Sequence, residues 1–297
     1  MIPPEIQSRC LQDEPIRLPM LDPETARSLL AAREAAHDAV TVSLDLGWSM
    51  LEVELLDEGV VLPNGTVTAW ASIAEIAEES ERCYALQEDG TPWPVGIFSE
   101  ETGWYRSLIR MGGTPTTLVG GFTMHRIKGT DPLDDTREKI NAIRPVVGRV
   151  LDTATGLGYT AIQAAETANY VVTVELDPAA IEIARYNPWS HALFERENIC
   201  IIVADIAELI EELPDASFDR IIHDPPTISL AGELYSEAFY RQLHRVLARR
   251  GRLFHYIGDP DSRSGRRTTD GVIRRLKAAG FQRVRRAPRA FGVVAYR

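Results

Sequence analysis

The chain has 297 residues, with 44% hydrophobic and 25% charged side chains, which is typical of a globular protein with one large or two ordinary domains. It contains no apolar run near the ~20 residues of a membrane span, and its first residues lack the basic and apolar segments of a secretory signal, so we expect a cytoplasmic protein that contacts no membrane. Cys10, Cys83 and Cys200 are far apart and form no CxxC pair, so we expect reduced thiols and no cysteine-based metal site.

The charge is unevenly distributed along the chain. The net charge is -11, but residues 241–297 contain 16 Lys and Arg against three Asp. Such a basic end could bind an anionic partner such as nucleic acid. The arginines lack the aromatic or glycine pattern of a nucleic-acid-binding module. We therefore favour the alternative, in which the basic end packs against the acidic remainder and is neutralised by it.

Residues 1–130 are predicted to form a small α+β domain. A helix over 22–40 begins at an Asp-Pro pair, a combination of N-cap and first helical residue. Alternating apolar and polar residues then indicate half-buried strands, and Asn64-Gly65 marks a hairpin turn. A second helix is predicted to begin at Ser72, the first residue of a capping box. We expect this domain to recognise a substrate or to form a homodimer.

Residues 131–297 show a different pattern, in which apolar strands alternate with amphipathic helices. This alternation is typical of a parallel sheet covered by helices on both faces. A helix near 270–279 and two strands joined at Pro288 follow, and their short link favours an antiparallel pair at the sheet edge. The predicted parallel strands cover residues 149–154, 171–176, 199–204, 218–223 and 251–257.

The segment "VLDTATGLGYTAI" is a strand, a glycine-containing turn and the start of a helix. Gly156 and Gly158 would let the backbone pass close to a ligand at the helix N-terminus. The spacing also fits the G-x-G-x-x-G/A loop of dinucleotide-binding folds. Asp152 at the strand end disfavours a pyrophosphate ligand, because a carboxylate would repel it. A carboxylate would instead accept hydrogen bonds from an amino group.

Two further acids end the next two predicted strands. Glu175 stands about 20 residues after the glycine loop, where an acid can accept hydrogen bonds from ribose hydroxyls. Asp205 could accept from an adenine amino group, or it could serve only as the N-cap of the helix that follows. Ligands of open α/β sheets bind at this carboxyl edge, so the acids together predict a nucleoside site.

In strand order and in these acids, residues 149–257 resemble the class I S-adenosylmethionine-dependent methyltransferases. The resemblance implies a Rossmann-like seven-stranded sheet with a C-terminal antiparallel hairpin, and S-adenosylmethionine as the cofactor. Ala154 stands where the family has its first loop glycine. The resemblance implies cofactor contacts from Asp152, Gly156 and Gly158 to the methionine part, from Glu175 to the ribose and from Asp205 to the adenine. Thr153 and Leu176 are further candidate cofactor contacts.

The fourth strand ends in "IIHDPPT" and carries the candidate catalytic group. An Asp-Pro-Pro segment followed by an aromatic resembles the signature of methyltransferases that act on planar or amide nitrogens. In that signature the acid and a following carbonyl accept hydrogen bonds from the target nitrogen. Asp224, Pro225 and Pro226 match it, whereas Thr227 replaces the aromatic. His223 points to the opposite side of the strand, so we interpret it as a buried structural residue.

A second resemblance competes with the first. The segment after Asp224, with Tyr235 and the pair Phe239-Tyr240, is similar to that of spermidine synthases and other aminopropyltransferases, which use decarboxylated S-adenosylmethionine. The chain as a whole resembles an uncharacterised prokaryotic methyltransferase-like group that carries both "NPWS" and "HDPPT".

The favoured function is methyl transfer to an amine or another nitrogen, on a small molecule or a macromolecule. Aminopropyl transfer is the alternative. A non-catalytic, nucleic-acid-binding cofactor sensor and then an NAD-dependent oxidoreductase rank lower. The six histidines have no metal-ligand spacing, so we expect no metal.

Overall fold

The computed structural model describes residues 4–228, 230–260 and 262–297, and the chain divides into two compact units. The sheet unit comprises residues 4–13, 133–178 and 192–297, and the N-terminal unit comprises residues 14–132 and 179–191. This division differs from the predicted boundary between residues 130 and 131 in two places. The first residues of the chain belong with the sheet, and a segment from the middle of the chain belongs with the N-terminal unit.

The elements before residue 132 are mostly short strands. In chain order they are α1 (Pro4–Gln7), β1 (Met20–Leu21), α2 (Pro23–Glu34), β2 (Ala39–Val42), β3 (Leu51–Glu54), β4 (Gly59–Val61), β5 (Val67–Ala69), α3 (Trp70–Glu78), β6 (Tyr84–Leu86), β7 (Pro92–Pro94), β8 (Gly96–Phe98), β9 (Tyr105–Ile109), β10 (Thr116–Val119) and β11 (Phe122–Thr123).

The N-terminal unit is built from small antiparallel sheets and the helices α2 and α3, together with the segment 179–191. Among the described residues of this unit, the largest sheet has four strands in the order β11-β10-β9-β8, and a hairpin pairs β4 with β5 around Asn64-Gly65, as predicted. Asp22 is the N-cap of α2, because its carboxylate accepts from the Thr25 N–H at 2.7 Å. The predicted capping box is wrong: α3 begins at Trp70, and its N-cap residue Ala69 makes no side-chain hydrogen bond.

The segment 179–191 joins the N-terminal unit through the "NPWS" motif. Trp189 donates from Nε1 to the carbonyl of Leu46 at 3.0 Å. Asn187 is fully buried, and its amide donates to Ser190 at 2.7 Å. This motif is therefore a buried anchor within the unit.

The remaining elements form the sheet unit, apart from most of α6, which belongs to the segment just described. They are α4 (Pro132–Ala142), β12 (Arg149–Asp152), α5 (Tyr159–Ala165), β13 (Tyr170–Glu175), α6 (Pro178–Tyr186), α7 (His191–Glu195), β14 (Ile199–Val203), α8 (Ile206–Glu212), β15 (Phe218–His223), α9 (Glu237–Val246), β16 (Leu247–Tyr256), α10 (Arg263–Ala278), β17 (Arg283–Ala287) and β18 (Gly292–Tyr296).

A seven-stranded sheet with the order β14-β13-β12-β15-β16-β18-β17 organises this unit, which has the α/β fold of a methyltransferase. Strands β14 to β16 pair in parallel, whereas β18 pairs antiparallel with both β16 and β17. Its buried core contains strand residues such as Leu151, Val172, Ile221 and Leu253. No helix in the described part of the chain is long and apolar enough to cross a membrane.

Several predicted helix ends differ from the structure for local reasons. The helix predicted before strand five is split by Ser236, whose hydroxyl accepts from the Phe239 N–H at 3.0 Å and so starts α9 afresh. The last helix, predicted to begin near residue 270, begins at Arg263, because Ser262 caps it. Side chains that bond the free N–H groups of a first turn fix where a helix begins.

The expectation that all three cysteines are reduced is wrong. Cys10 and Cys200 form a disulfide across a sequence separation of 190, and Cys83 is a buried free thiol. The bond ties the first residues of the chain to β14, where the Leu11 N–H also donates to the Ile201 carbonyl at 2.9 Å. Spacing along the sequence could not show this, because the fold brings the two residues together. The cytoplasmic location stays a prediction.

Reduction of this disulfide is expected to lower the free energy of unfolding by about 2–4 kcal/mol, because the cross-link restricts the unfolded chain. Urea titrations with and without reductant measure the difference. A variant with both Cys10→Ser and Cys200→Ser is the control, and reductant should leave its stability unchanged. If the denatured, unreduced wild type titrates three thiols instead of the single thiol of Cys83, the assignment is wrong.

Candidate active site

The carboxyl ends of the parallel strands bring three predicted site acids to one edge of the sheet. Asp152 ends β12, where it lies in register with Thr173 of β13 and Ile222 of β15. Glu175 ends β13, and Asp224 directly follows β15. Ligands of open α/β sheets bind at this edge.

Asp152 is fully buried, and its two carboxylate oxygens have different surroundings. Oδ2 accepts from the hydroxyls of Thr160 at 2.8 Å and Thr173 at 3.2 Å. Oδ1 accepts no hydrogen bond of normal geometry from the described residues. Burial is the main cause that raises the pKa of Asp152 to about 7; the charge of Asp224 adds to it, and the Thr160 hydrogen bond acts in the opposite direction. The unpaired oxygen suits a ligand that donates a hydrogen bond.

The two glycines of the loop after β12 have different roles. Gly156 has a φ of +53°, and a Cβ built on it would meet nothing within 4 Å, so its backbone is open to a ligand. Gly158 has a φ of +78°, but a Cβ there would lie 2.6 Å from Leu193. The predicted close approach to a ligand therefore fits Gly156. Gly158 is required by the turn and by packing.

Glu175 supports the glycine loop from the neighbouring strand. One oxygen accepts from the Gly156 N–H at 2.8 Å, and the other accepts from the Asp177 N–H at 3.1 Å. The next residue, Leu176, is an aliphatic side chain that is 46% exposed at the same edge.

Thr153 and Asp205 use their side chains locally. The Thr153 hydroxyl is buried and lies 2.7 Å from Nδ1 of His223, so it links β12 to β15. Asp205 is the N-cap of α8 and accepts from the Ala207 N–H at 2.8 Å. The capping role that the sequence left open is therefore present, and a contact of either residue with a cofactor stays a prediction.

Asp224 forms a buried ionic cluster with two residues of α4 that the sequence analysis did not identify. Lys139 Nζ lies 2.6 Å from Asp224 Oδ2 and 2.8 Å from Asp135 Oδ2. The Lys139 and Asp135 side chains are 3% and 0% exposed, and Nζ lies 4.7 Å from the centre of the Tyr256 ring. Burial alone lowers the pKa of Lys139, but the charges of Asp224 and Asp135 outweigh it and raise the pKa, so the ammonium is retained.

Lys139 and Asp135 could have been suspected only from their i,i+4 spacing in "DDTREKI". The same spacing is common on solvated helix faces, and this helix was not predicted. The sequence does not show whether a lysine is buried or exposed, so the burial of Lys139 could not be predicted.

Tyr235 stabilises the Asp-Pro-Pro turn through a hydrogen bond. The Tyr235 hydroxyl donates to the Pro226 carbonyl at 3.1 Å, and the residue is 2% exposed. Burial raises the pKa of Tyr235, so the hydroxyl remains a donor. Its contact with Pro226 makes Tyr235 a positioning residue for this turn.

The interpretation of His223 as a buried structural residue is confirmed. It is fully buried, and Nε2 lies 3.0 Å from the Leu234 carbonyl, which fixes Nε2 as the donor and Nδ1 as the acceptor from Thr153. Burial lowers the pKa of His223 to about 4. Its ring lies 4.4 Å from that of His255, which bonds to the Tyr240 hydroxyl at 2.8 Å. This network lies beneath the site and stays uncharged near neutral pH.

Comparison with known proteins agrees with this description. Residues 147–270 match the family model described as a methyltransferase domain. The chain is 41% identical over 235 residues to the uncharacterized protein MJ1233 of Methanocaldococcus jannaschii, with 78% of this chain and 79% of that protein covered. Over 120 residues it is 32% identical to polyamine aminopropyltransferase 2 of Streptomyces coelicolor, which covers 38% of this chain and only 21% of that protein.

A solved structure shares the fold. Spermidine synthase from Thermotoga maritima superposes with a TM-score of 0.54 at 19% identity, covering 70% of this chain and 75% of that one.

Residues 147–270 are thus a methyltransferase domain of the class I, S-adenosylmethionine-dependent type, and they contain the parallel sheet, the open glycine loop and the acids at its edge. The cofactor fits the residues present, since Asp152 offers a buried, unpaired acceptor and Gly156 an open backbone. Within this class, the chain belongs to the same family as the Methanocaldococcus jannaschii protein MJ1233.

Affinity for S-adenosylmethionine is expected to rise with pH through about 7, the pKa of Asp152. Below that pH the carboxyl is neutral and accepts weakly from an ammonium, so the dissociation constant should increase by about tenfold per pH unit. The rise should end near pH 8, where an α-amino group itself loses its proton. Calorimetry at several pH values measures this. In an Asp152→Asn variant the rise in affinity near pH 7 should disappear. If the rise remains unchanged in that variant, Asp152 is not the group that causes it.

Replacing Lys139 with Met is expected to lower the free energy of unfolding by about 3–5 kcal/mol, because it leaves Asp135 charged and buried. Adding Asp135→Asn to that variant removes the uncompensated charge and should restore part of the loss. Denaturant titrations of the single and double variants measure both effects. Lys128→Met, at an exposed position, is the control and should be nearly neutral. If the Lys139→Met variant has the same free energy of unfolding as the wild type, the buried cluster is contradicted.

Proposed function

We propose that this protein transfers a methyl group from S-adenosylmethionine to the nitrogen of an amine. The observation that carries the proposal is the parallel register of β12 and β15, which pairs Asp152 with Ile222, two residues before Asp224. An acid that holds the acceptor nitrogen thus lies beside an acid suited to the amino group of the cofactor.

The cofactor contacts follow the edge of the sheet. Asp152 accepts from the cofactor ammonium, and the open backbone at Gly156 lies along the methionine part. Glu175, which ends β13 at the same edge, accepts from the ribose hydroxyls. Leu176 covers one face of the adenine, and Asp205 accepts from its amino group while also capping α8. Support comes from burial, exposure and the hydrogen bonds described above.

S-adenosylmethionine supplies a methyl group on a sulfonium, which is a good leaving group, so positioning dominates the catalysis. Asp224 accepts a hydrogen bond from the acceptor nitrogen and orients its lone pair towards the methyl carbon. As nitrogen gains positive charge, the carboxylate stabilises it. Lys139 pairs with Asp224 and fixes the position of Oδ2. The Pro225-Pro226 turn, supported by Tyr235, limits how the following loop moves.

The loop after the turn favours an aliphatic amine over a planar base. Thr227 provides no ring for stacking, and its carbonyl accepts from the Leu230 N–H at 2.8 Å, within the loop itself. The exposed large side chains that follow are Ile228 and Leu230, at 44% and 60% exposure. Such side chains cover methylene groups well but give no aromatic stacking.

Aminopropyl transfer is the second candidate function. It is supported by the segment from Asp224 to Tyr240, by the similarity to an aminopropyltransferase over 120 residues and by the spermidine synthase fold. The same Asp224 would hold a primary amine for attack on the aminopropyl carbon of decarboxylated S-adenosylmethionine. The two functions share the site and differ in which sulfonium substituent moves.

Replacing Asp224 with Asn is expected to abolish transfer while changing cofactor affinity little, because Asp224 holds the acceptor. Turnover is followed by mass spectrometry with a panel of aliphatic amines and either S-adenosylmethionine or its decarboxylated form. A gain of one methylene identifies methyl transfer, and a gain of one aminopropyl unit identifies the second candidate.

The matched control is Glu233→Gln, an exposed acid that follows the same loop, and it should retain full turnover. Full turnover in the Asp224→Asn variant would remove Asp224 from the mechanism. Tight binding of NAD but of neither sulfonium compound would reject both functions.

A further inference from the structure

The helix α10 presents a basic surface that the proposed reaction does not use. Its inner residues, such as Val272 and Leu276, are fully buried. On the outer side, Arg266, Arg267, Arg274 and Lys277 are all exposed. At 3.6 residues per turn these four fall within an arc of about 100° and extend along about 16 Å of the helix. We call these four residues the basic strip.

Within the described part of the chain, the basic strip forms no ion pair with an acidic residue. Among the described residues, the ion pairs of segment 241–297 with acids join Arg241 to Glu237, Arg245 to Asp215 and Arg286 to Asp270. No member of the strip makes an ion pair within the part of the chain that the structure describes. The sequence favoured internal neutralisation, and these three ion pairs supply it outside the strip.

The basic surface continues from α10 to the edge strand β17. Arg286 of β17 pairs with Asp270, which lies in the middle of the strip's face. Arg283 and Arg285 are exposed on the other face of β17, the outermost strand of the sheet. Charged residues on an edge strand prevent strand pairing between molecules. That role explains the arginines of β17 but not those of α10.

The chemistry of the strip favours a phosphate-bearing polymer. Three of its four members are Arg, which binds phosphate oxygens through two parallel hydrogen bonds. Unpaired like charges repel one another, and a polyanion that lies along them relieves the repulsion and releases its own counterions. A membrane surface is disfavoured, because interfacial helices insert an apolar face and that face of α10 is buried in the core.

We propose that the basic strip binds the phosphate backbone of nucleic acid, without reading sequence. This inference is independent of the proposed methyl transfer, because it concerns side chains that have no role in that reaction and is tested by binding alone. Backbone contacts position a protein on nucleic acid and leave base recognition to other groups. RNA and DNA both have a phosphate backbone, and the experiment below distinguishes between them.

The test measures fluorescence anisotropy of labelled single-stranded RNA, double-stranded RNA and double-stranded DNA with the full-length protein. Binding should weaken steeply between about 50 mM and about 200 mM salt, because each phosphate contact adds about 0.7 to 0.9 to the slope of log K against log salt. The triple variant Arg267→Gln, Arg274→Gln, Lys277→Gln should reduce that slope by about 2 to 3 and weaken binding at low salt by at least tenfold.

The matched control removes three positive charges elsewhere, with Arg9→Gln, Lys128→Gln and Arg137→Gln, and should bind like the wild type. An equal loss in both triple variants would show net charge and not the strip to be responsible. Absence of binding at about 50 mM salt, equal binding of polyglutamate, or binding confined to vesicles of anionic lipid would each overturn the proposal. Circular dichroism establishes that both variants are folded.

Discussion

Carboxylates at one edge of a parallel sheet repel one another, and the site depends on how each of them is compensated. Parallel strands deliver the residues that follow them to the same edge, so Asp152, Glu175 and Asp224 are brought together by topology. Each acid is compensated differently. Glu175 accepts backbone N–H groups, Asp224 pairs with a buried ammonium, and Asp152 titrates near neutral pH. The edge can therefore hold three acids within a folded protein while keeping an acceptor for a ligand.

Most of the sheet unit could be predicted from the sequence, because its strands are continuous apolar runs that end in acids or turns. The glycine loop, the order of the acids and the structural nature of His223 follow from such local patterns. The sequence could not show which glycine faces open space. A Cβ on Gly158 would meet Leu193, which is distant in sequence, whereas one on Gly156 would meet nothing within 4 Å. The predicted start of a helix was wrong where a capping hydroxyl, as at Ser236, set the first residue and not the apolar pattern.

The residues that were missed have roles that depend on contacts distant in sequence. Lys139 meets Asp224 across 85 positions, and Cys10 meets Cys200 across 190. Lysine and cysteine carry no local signal that reports such a partner. The division of the chain shows the same limit, because residues 179–191 follow the sheet pattern in sequence yet pack in the N-terminal unit through Trp189.

The disulfide also changes the connectivity of the molecule. Residues 14–132 lie between its two cysteines in sequence, so the polypeptide from Cys10 to Cys200 is a closed covalent ring. A protease that cuts once anywhere within that ring opens it without releasing a fragment. The nicked protein therefore keeps its full mass under non-reducing conditions and separates into two pieces only after reduction. In an oxidised sample, limited proteolysis of the N-terminal unit is thus visible only in reducing gels.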